Sequence, residues 1–279
     1  MGLKERLFGI IPEEDRRRIS PHFDVIGDIA IIALPGDLNG YAPVIAETIK
    51  SQRYGIRTVL CKVEKVREDC RTARYEIITG DTTITTHHEY GFSYRLDLGT
   101  VFFNPRLASE RRRVTSLVQA GERVLVPFCG AGPFVIPVAA RGASVMAVEQ
   151  NPDAYHWLLE NMRLNRCAGR VTAVCGDAFD TALLPSEPFD RAIIPTPYGM
   201  DEILGVLVPY VRPGGMFHFY TFKNRKQSEE MERTFKGTGY HVVTRRQCGN
   251  VAPSVSRWVF DLKKAGHPGR VVGTSANPG

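Results

Sequence analysis

Val124-Leu125-Val126-Pro127-Phe128-Cys129-Gly130-Ala131-Gly132-Pro133-Phe134 reads as an apolar strand running into a glycine turn that opens a helix. Glycines in such a turn let the backbone approach a ligand to contact distance, and a helix start offers free N–H groups. Glu149 closes the next apolar run, where a doubly wound fold places an acid on a ribose. Asp177, in Cys175-Gly176-Asp177-Ala178-Phe179, follows the third run and is positioned to meet an adenine amino group. With their neighbours these make an expected cofactor set of Phe128, Gly130, Gly132, Glu149, Gln150, Asp177 and Ala178. A dinucleotide fingerprint would need glycine where Val135 stands.

Just upstream lies Val101-Phe102-Phe103-Asn104-Pro105-Arg106-Leu107-Ala108-Ser109-Glu110-Arg111-Arg112-Arg113. Arginines around one glutamate are ordinarily a solvated helix face. Here the run lies just before the expected cofactor unit, and its arginines add to the positive charge that a phosphate backbone would meet. His87, His88 and His218 lack partners at metal-ligand spacing, so no metal is expected. Cys129 has no base paired with it, and Tyr155 and Trp157 read as packing residues of a helix.

Positioning these groups requires two kinds of architecture. Residues 23–34 form a β-rich run with a Gly-Asp turn, 41–54 a helix, and 58–63, 74–79, 82–87 and 92–96 further strands, behind a short polar helix in the first twenty residues. This is an α+β unit, expected over residues 1–100 as the RNA-positioning domain. From residue 123 strands and helices alternate: 124–126, 145–148, a helix over 152–164, 171–174 and 191–194, with 216–222 and 257–262 closing the sheet. Alternation of this kind implies βαβ units and a parallel sheet over residues 101–265. Residues 266–279, rich in Gly, Pro and Ser, are expected to be a disordered tail.

The 279 residues are 43% hydrophobic and 24% charged, which excludes collagen-like and disordered classes. No apolar run reaches the roughly 20 residues of a membrane span, and the start lacks a signal peptide. Six scattered cysteines without a CxxC pair fit a reducing cytoplasm. The net charge of +6 comes mostly from residues 212–279, with 12 basic and 4 acidic groups, while residues 123–211 hold 6 and 9. A mildly acidic centre flanked by basic segments suits a small-molecule pocket beside a phosphate-backbone surface.

The glycine loop, the acid after strand two and the Gly-Asp after strand three resemble the class I S-adenosylmethionine-dependent methyltransferases, whose fold is a Rossmann-like doubly wound sheet. One feature departs from them: an acid usual near the end of the first strand is replaced by Val126. Taken with Phe102-Phe103-Asn104-Pro105-Arg106-Leu107, Asp190-Arg191-Ala192-Ile193-Ile194 and Gly214-Gly215-Met216-Phe217-His218-Phe219-Tyr220-Thr221, the order over residues 23–262 resembles one family. It is the archaeal and eukaryotic tRNA (guanine-37-N1)-methyltransferases with the related wybutosine-synthesis aminocarboxypropyl transferases.

The resemblance implies S-adenosylmethionine as cofactor, tRNA as partner and methyl transfer to N1 of guanine 37, with aminocarboxypropyl transfer to a wyosine precursor as the alternative. It implies that Glu110 takes the N1 proton while an upstream arginine, Arg71 or Arg74, steadies the charge spreading to O6. Arg106, Arg111 and Arg71 are expected at the RNA, with Lys223, Arg225, Lys226, Arg245 and Arg246 further on. The family's Asn-x-Pro after strand four is here Pro195-Thr196-Pro197-Tyr198. Pro197 matches, Pro195 supplies no polar contact, and Thr196 or Tyr198 is expected to replace it. The resemblance leads to the expectation that this sequence begins almost directly with the family's second domain, so that tRNA recognition falls to the 106–113 arginine cluster and the basic C-terminal part. Val126 and Pro195 also allow a third class, an RNA-binding protein that has lost chemistry. Glu110, Gly130, Gly132, Glu149 and Asp177 argue against it.

Overall fold

A computed structural model describes residues 2–63, 74–252 and 254–266. Thirteen strands are described: β1 (Asp24–Ile26), β2 (Ile29–Ala33), β3 (Thr58–Lys62), β4 (Tyr75–Thr79), β5 (Ile84–Glu89), β6 (Phe92–Asp97), β7 (Arg123–Pro127), β8 (Ser144–Glu149), β9 (Val171–Cys175), β10 (Phe189–Ile194), β11 (Val211–Lys223), β12 (Tyr240–Ala252) and β13 (Val255–Lys264). The helices are α1 (Leu3–Arg6), α2 (Glu13–Arg18), α3 (Ala42–Gln52), α4 (Ala108–Ser116), α5 (Val135–Ala140), α6 (Pro152–Leu164), α7 (Ile203–Leu207) and α8 (Arg225–Gly237).

The larger sheet has the order β12-β13-β11-β10-β7-β8-β9. Strands β9, β8, β7, β10 and β11 run parallel, and β13 is antiparallel between β11 and β12. The central strands are buried almost end to end, as an apolar run covered by helices on both faces requires. This is the doubly wound sheet expected, with its reversed strand. Helix α6 begins where expected: Asn151 caps the Asp153 N–H and Pro152 fills the first position. The edge strand β12 and helix α8 were not anticipated. β12 is exposed along most of its length, so it carries no continuous apolar signal.

The N-terminal unit holds the sheet β1-β2-β3-β4, with α3 as the crossover between the parallel β2 and β3. The single early helix divides into α1 and α2, because Gly9 turns through a φ of 76° and Pro12 opens the second helix. The hairpin β5–β6 ties the two units. Asn161 on α6 and Asn165, which caps its C-terminal end, act as strand partners for β6: Arg95 N donates to Asn161 Oδ1 (2.7 Å) and Ser93 N to Asn165 Oδ1 (2.9 Å). Asn161 Nδ2 also donates to Ala131 O in the glycine turn (3.1 Å). At the hairpin's other side Thr85 Oγ1 donates to Asp28 Oδ1 (2.7 Å) between β1 and β2. Hairpin, α6 and glycine turn are therefore one fastened block.

Candidate active site

The glycine turn joins β7 to α5 through three left-handed residues, Phe128 (φ 51°), Gly130 (56°) and Gly132 (92°). The two glycines do different work. A Cβ on Gly132 would lie 2.7 Å from Leu158 Cδ1, so Gly132 lets α6 pack, whereas a Cβ on Gly130 would meet nothing within 4 Å. That open face is where a ligand can lie. Glu149 braces it, with Oε2 accepting from Gly130 N (2.7 Å) and Oε1 from Asn151 N (2.9 Å). Its carbonyl accepts from Gly176 N (2.9 Å), which sets the exit of β9 beside it.

Asp177 is exposed on this edge, and Phe128 and Phe179 meet edge to face at 6.2 Å. An acid at the end of β8, an acid after β9, two aromatic rings and an open glycine fit a ribose and an adenine. Gln150 is exposed on the same edge, but Ala178 is buried in the core beneath it, so only its backbone is available. Val126 is wholly buried and part of the apolar core, which is why no acid stands there. Burial pushes the Cys129 thiol well up, against a nucleophilic role.

The second half of the site is built from side chains far apart in sequence. Glu110, in the first turn of α4, is only 2% exposed. Its Oε1 accepts from Tyr220 Oη (2.9 Å) on β11 and from Arg113 Nη2 (2.7 Å), and its Oε2 accepts from Arg113 Nε (2.9 Å) with Arg246 Nη1 at 3.8 Å. The Tyr220 ring packs 5.5 Å from Phe134 of the glycine turn. Tyr220 also follows Phe219, the register partner of Ile194, so it stands beside the exit of β10. Glu110 thus reaches the same sheet edge as the cofactor set.

Arg113 is shared: it also donates to Asp261 through Nη1 (2.6 Å) and Nη2 (3.1 Å), and its paired carboxylates raise its pKa against the effect of burial. Asp261 accepts from His218 Nδ1 (2.6 Å), and Arg191 Nη1 donates to His218 Nε2 (2.6 Å). An arginine donating to one ring nitrogen fixes His218 as the neutral Nδ1–H tautomer. Burial lowers the His218 pKa despite Asp261. Burial alone would raise Asp261, but hydrogen bonds from His218 and Arg113 hold it down to about 2. Arg191 closes the chain on Glu122 (Nε to Oε2, 2.8 Å). Sequence reasoning missed Arg113, Tyr220, His218 and Asp261 as a unit, although a histidine and an aspartate inside apolar strands were the available signal.

Several expected substrate residues are spent elsewhere. Arg111, expected at the RNA, is buried, paired with Glu89 through Nε (2.8 Å) and Nη2, bonded to Asn104 O and lying over the Phe103 ring, so it holds α4 to the hairpin. Arg106 is exposed but clamps Asp24 with both nitrogens (2.7 and 3.0 Å). Thr196 is fully buried and its hydroxyl donates to Ile194 O (3.2 Å), so it does not replace the missing asparagine. Pro197 is buried and shapes the loop, its carbonyl accepting from Met200 N (3.3 Å). Tyr198 is 72% exposed, its ring tilted at 54° to that of Phe222 with centroids 5.7 Å apart. Arg74 is exposed at the start of β4, while Arg71 and the expected tail from residue 267 lie outside the described residues. Among the described residues no helix is long and apolar enough to cross a membrane, and no group of three or more His, Cys, Asp or Glu could hold a metal.

Residues 85–243 match the family described as the TRM5/TYW2 methyltransferase domain, and residues 3–83 the TYW2 N-terminal domain. The tRNA (guanine(37)-N(1))-methyltransferase Trm5b of Pyrococcus abyssi is 34% identical over 91% of this chain and 78% of its own length; its crystal structure superposes with a TM-score of 0.81. The tRNA(Phe) (4-demethylwyosine(37)-C(7)) aminocarboxypropyltransferase of Pyrococcus horikoshii is 29% identical over 94% of this chain and 97% of that protein. P. horikoshii TYW2 in complex with MeSAdo is 28% identical with a TM-score of 0.76, over 94% of this chain and 97% of that one. With a seven-stranded doubly wound sheet, a braced glycine turn and these matches along nearly its whole length, the chain belongs to the TRM5/TYW2 methyltransferase family.

Proposed function

We propose that this protein is a tRNA methyltransferase that uses S-adenosylmethionine to methylate N1 of guanine 37, beside the anticodon. The observation that carries the reading is Glu110, a buried carboxylate delivered through Tyr220 and Phe134 to the edge of the glycine turn. Phe128, Gly130, Glu149 and Asp177 would hold the adenosyl group. Bound there, S-adenosylmethionine supplies an electrophilic methyl on a sulfonium.

The chain's own task is to make guanine N1 a nucleophile. N1 is a weak acid whose lone pair is exposed only once its proton is gone. Glu110 Oε2, which accepts a single hydrogen bond from Arg113, takes that proton. Tyr220 and Arg113 fix the carboxylate so that it does not reorient during the step. Tyr198 gives the target base a flat surface, and Pro197 holds the loop that presents it. Residues 1–100, with the β5–β6 hairpin, would position the RNA, together with basic groups such as Lys226 and Arg246. With five free cysteines among the described residues, the setting we propose is the cytoplasm, where tRNA is modified.

Aminocarboxypropyl transfer to a wyosine precursor is the second reading, favoured by the match along 97% of the P. horikoshii transferase and by Pro195 in place of the methyltransferase asparagine. Parallel incubations with methyl-labelled and carboxyl-labelled S-adenosylmethionine separate them. Unmodified tRNA with guanine 37 should take up methyl label alone. Carboxyl label entering tRNA that carries 4-demethylwyosine would establish the alternative, and S-adenosylmethionine binding with neither label transferred would indicate a protein that only binds.

A further inference from the structure

Arg113 is a single cation held between two buried carboxylates. Its Nε/Nη2 edge faces Glu110, at 2.9 Å from Oε2 and 2.7 Å from Oε1, and its Nη1/Nη2 edge faces Asp261, at 2.6 Å from Oδ2 and 3.1 Å from Oδ1. Both carboxylates are buried. The rest of the chain adds no net charge, because His218 is neutral and Arg191 cancels Glu122. Arg246 approaches Glu110 Oε2 only to 3.8 Å with its side chain half exposed, so water screens it. Glu110, Arg113 and Asp261 together therefore carry one negative charge that no buried cation compensates.

Such a cluster favours the uptake of one proton, and the hydrogen bonds decide where it goes. Burial alone would raise the Asp261 pKa, but donors from His218 and Arg113 hold it down to about 2, so Asp261 stays ionised. Both its oxygens are occupied: Oδ1 by His218 Nδ1 (2.6 Å) and Arg113 Nη2, and Oδ2 by Arg113 Nη1. Glu110 Oε2 accepts from Arg113 alone. The proton therefore goes to Glu110. Without Asp261, that protonation would leave the Arg113 guanidinium, whose side chain is 20% exposed, facing no ionised carboxylate. A mostly buried cation deprived of its counter-ion is strongly unfavourable. With Asp261 in place, Arg113 is paired both before and after the proton moves.

We infer that Asp261 is a positioning residue for methyl transfer: it keeps Arg113 paired while Glu110 changes from carboxylate to carboxylic acid. The inference rests on the methyltransferase reading above. The N1–H bond breaks, its electron pair stays on the base, and the proton forms an O–H bond at Glu110 Oε2. The cluster passes from one net negative charge to none, and no other reactant is required. His218, donating through Nδ1 and anchored at Nε2 by Arg191, holds Asp261 against Arg113.

Single-turnover methyl transfer to unmodified tRNA tests this in two variants, Asp261→Asn, which keeps the shape and loses the charge, and Asp261→Glu, which keeps the charge and changes the shape. Around the cluster, the groups that bear on a pH profile are His218, Arg191, Tyr220, Cys248 and Arg246. Asp261→Asn should slow transfer about 30-fold to 100-fold near neutral pH. Its acid fall-off should move to lower pH, because Glu110 with Arg113 to itself holds its charge more firmly. Asp261→Glu should stay within about fivefold of the wild type even where it melts lower than Asp261→Asn, and S-adenosylmethionine affinity should stay within about twofold in both. Transfer that follows the melting temperature instead of the charge overturns the inference, as does an Asp261→Asn rate within about threefold of an active wild type. Should Asp261→Asn not fold, the wild type decides. Infrared difference spectra of a single turnover, with aspartate or glutamate side-chain carboxyls isotope-labelled, should gain a protonated carboxyl band that shifts with the glutamate label alone. A band that shifts with the aspartate label, or no such band, overturns the inference. A wild type that transfers nothing to guanine 37 overturns the functional reading and this inference together.

Discussion

The two halves of the site are made from different material. At the cofactor end the working parts are largely backbone: left-handed Phe128 and Gly130, the N–H groups of Gly130 and Asn151 on Glu149, and the N–H of Gly176 on the Glu149 carbonyl. At the acceptor end they are side chains in a continuous buried chain, Glu122–Arg191–His218–Asp261–Arg113–Glu110–Tyr220. A backbone cradle tolerates a change in one side chain and fails when its path is blocked. A buried polar chain fails when any member is removed, because each loss leaves a desolvated partner behind.

That contrast orders the expected effects of mutation. Asp261→Ala strands both the His218 Nδ1–H and one face of Arg113, and should cost about 3–5 kcal/mol in chemical denaturation; a loss below about 1 kcal/mol would mean the chain is not stabilising the fold. Gly130→Leu carries the strain of a side chain at a φ of 56°, about 1–2 kcal/mol of stability, and should also fill the open face of the turn, weakening S-adenosylmethionine by at least about 2 kcal/mol in calorimetry on the folded protein. Gly132→Ala should lower stability through its contact with Leu158 and leave the open face unfilled, and identical behaviour of the two glycines would break the distinction drawn between them. Tyr198→Ala should cost about 1 kcal/mol in tRNA binding, from the stacking face lost, with cofactor affinity unchanged.

The smallest effect is on acid stability. His218 is held neutral, with its pKa depressed, so the unfolded chain takes up a proton that the folded one refuses as pH falls below about 6.5. Asp261 adds a second loss lower down, since its stabilisation is complete above the ordinary aspartate value near 3.8 and disappears as pH falls through about 2. Urea midpoints should therefore decline in two steps on acidification, and His218→Gln should lessen the upper step.

The same contrast explains what was legible in the sequence. The cofactor end could be read because its elements are local: strand, glycine turn and acid follow one another within residues 124–149. The acceptor end could be read only as far as Glu110, and that through its resemblance to a known family. Tyr220 comes 110 residues after Glu110, and Asp261 148 residues after Arg113, on strands whose pairing no local pattern encodes. Arg111 and Arg113 look alike in a cluster of arginines, and only the fold assigns one to Glu89 and the other to Glu110. Thr196 illustrates the same limit from the other side: a polar residue in a promising loop proves to be bonded to its own strand.

The central claim is that one half of the site binds and the other half reacts, and Glu110→Gln separates them. Glutamine keeps the size and an acceptor for Tyr220 but has no carboxylate to take the N1 proton. Measured on the same preparation, S-adenosylmethionine affinity should match the wild type within about twofold while single-turnover transfer to guanine 37 falls about 10²–10⁴-fold. Transfer at the wild-type rate, or a loss of binding equal to the loss of transfer, would contradict the account.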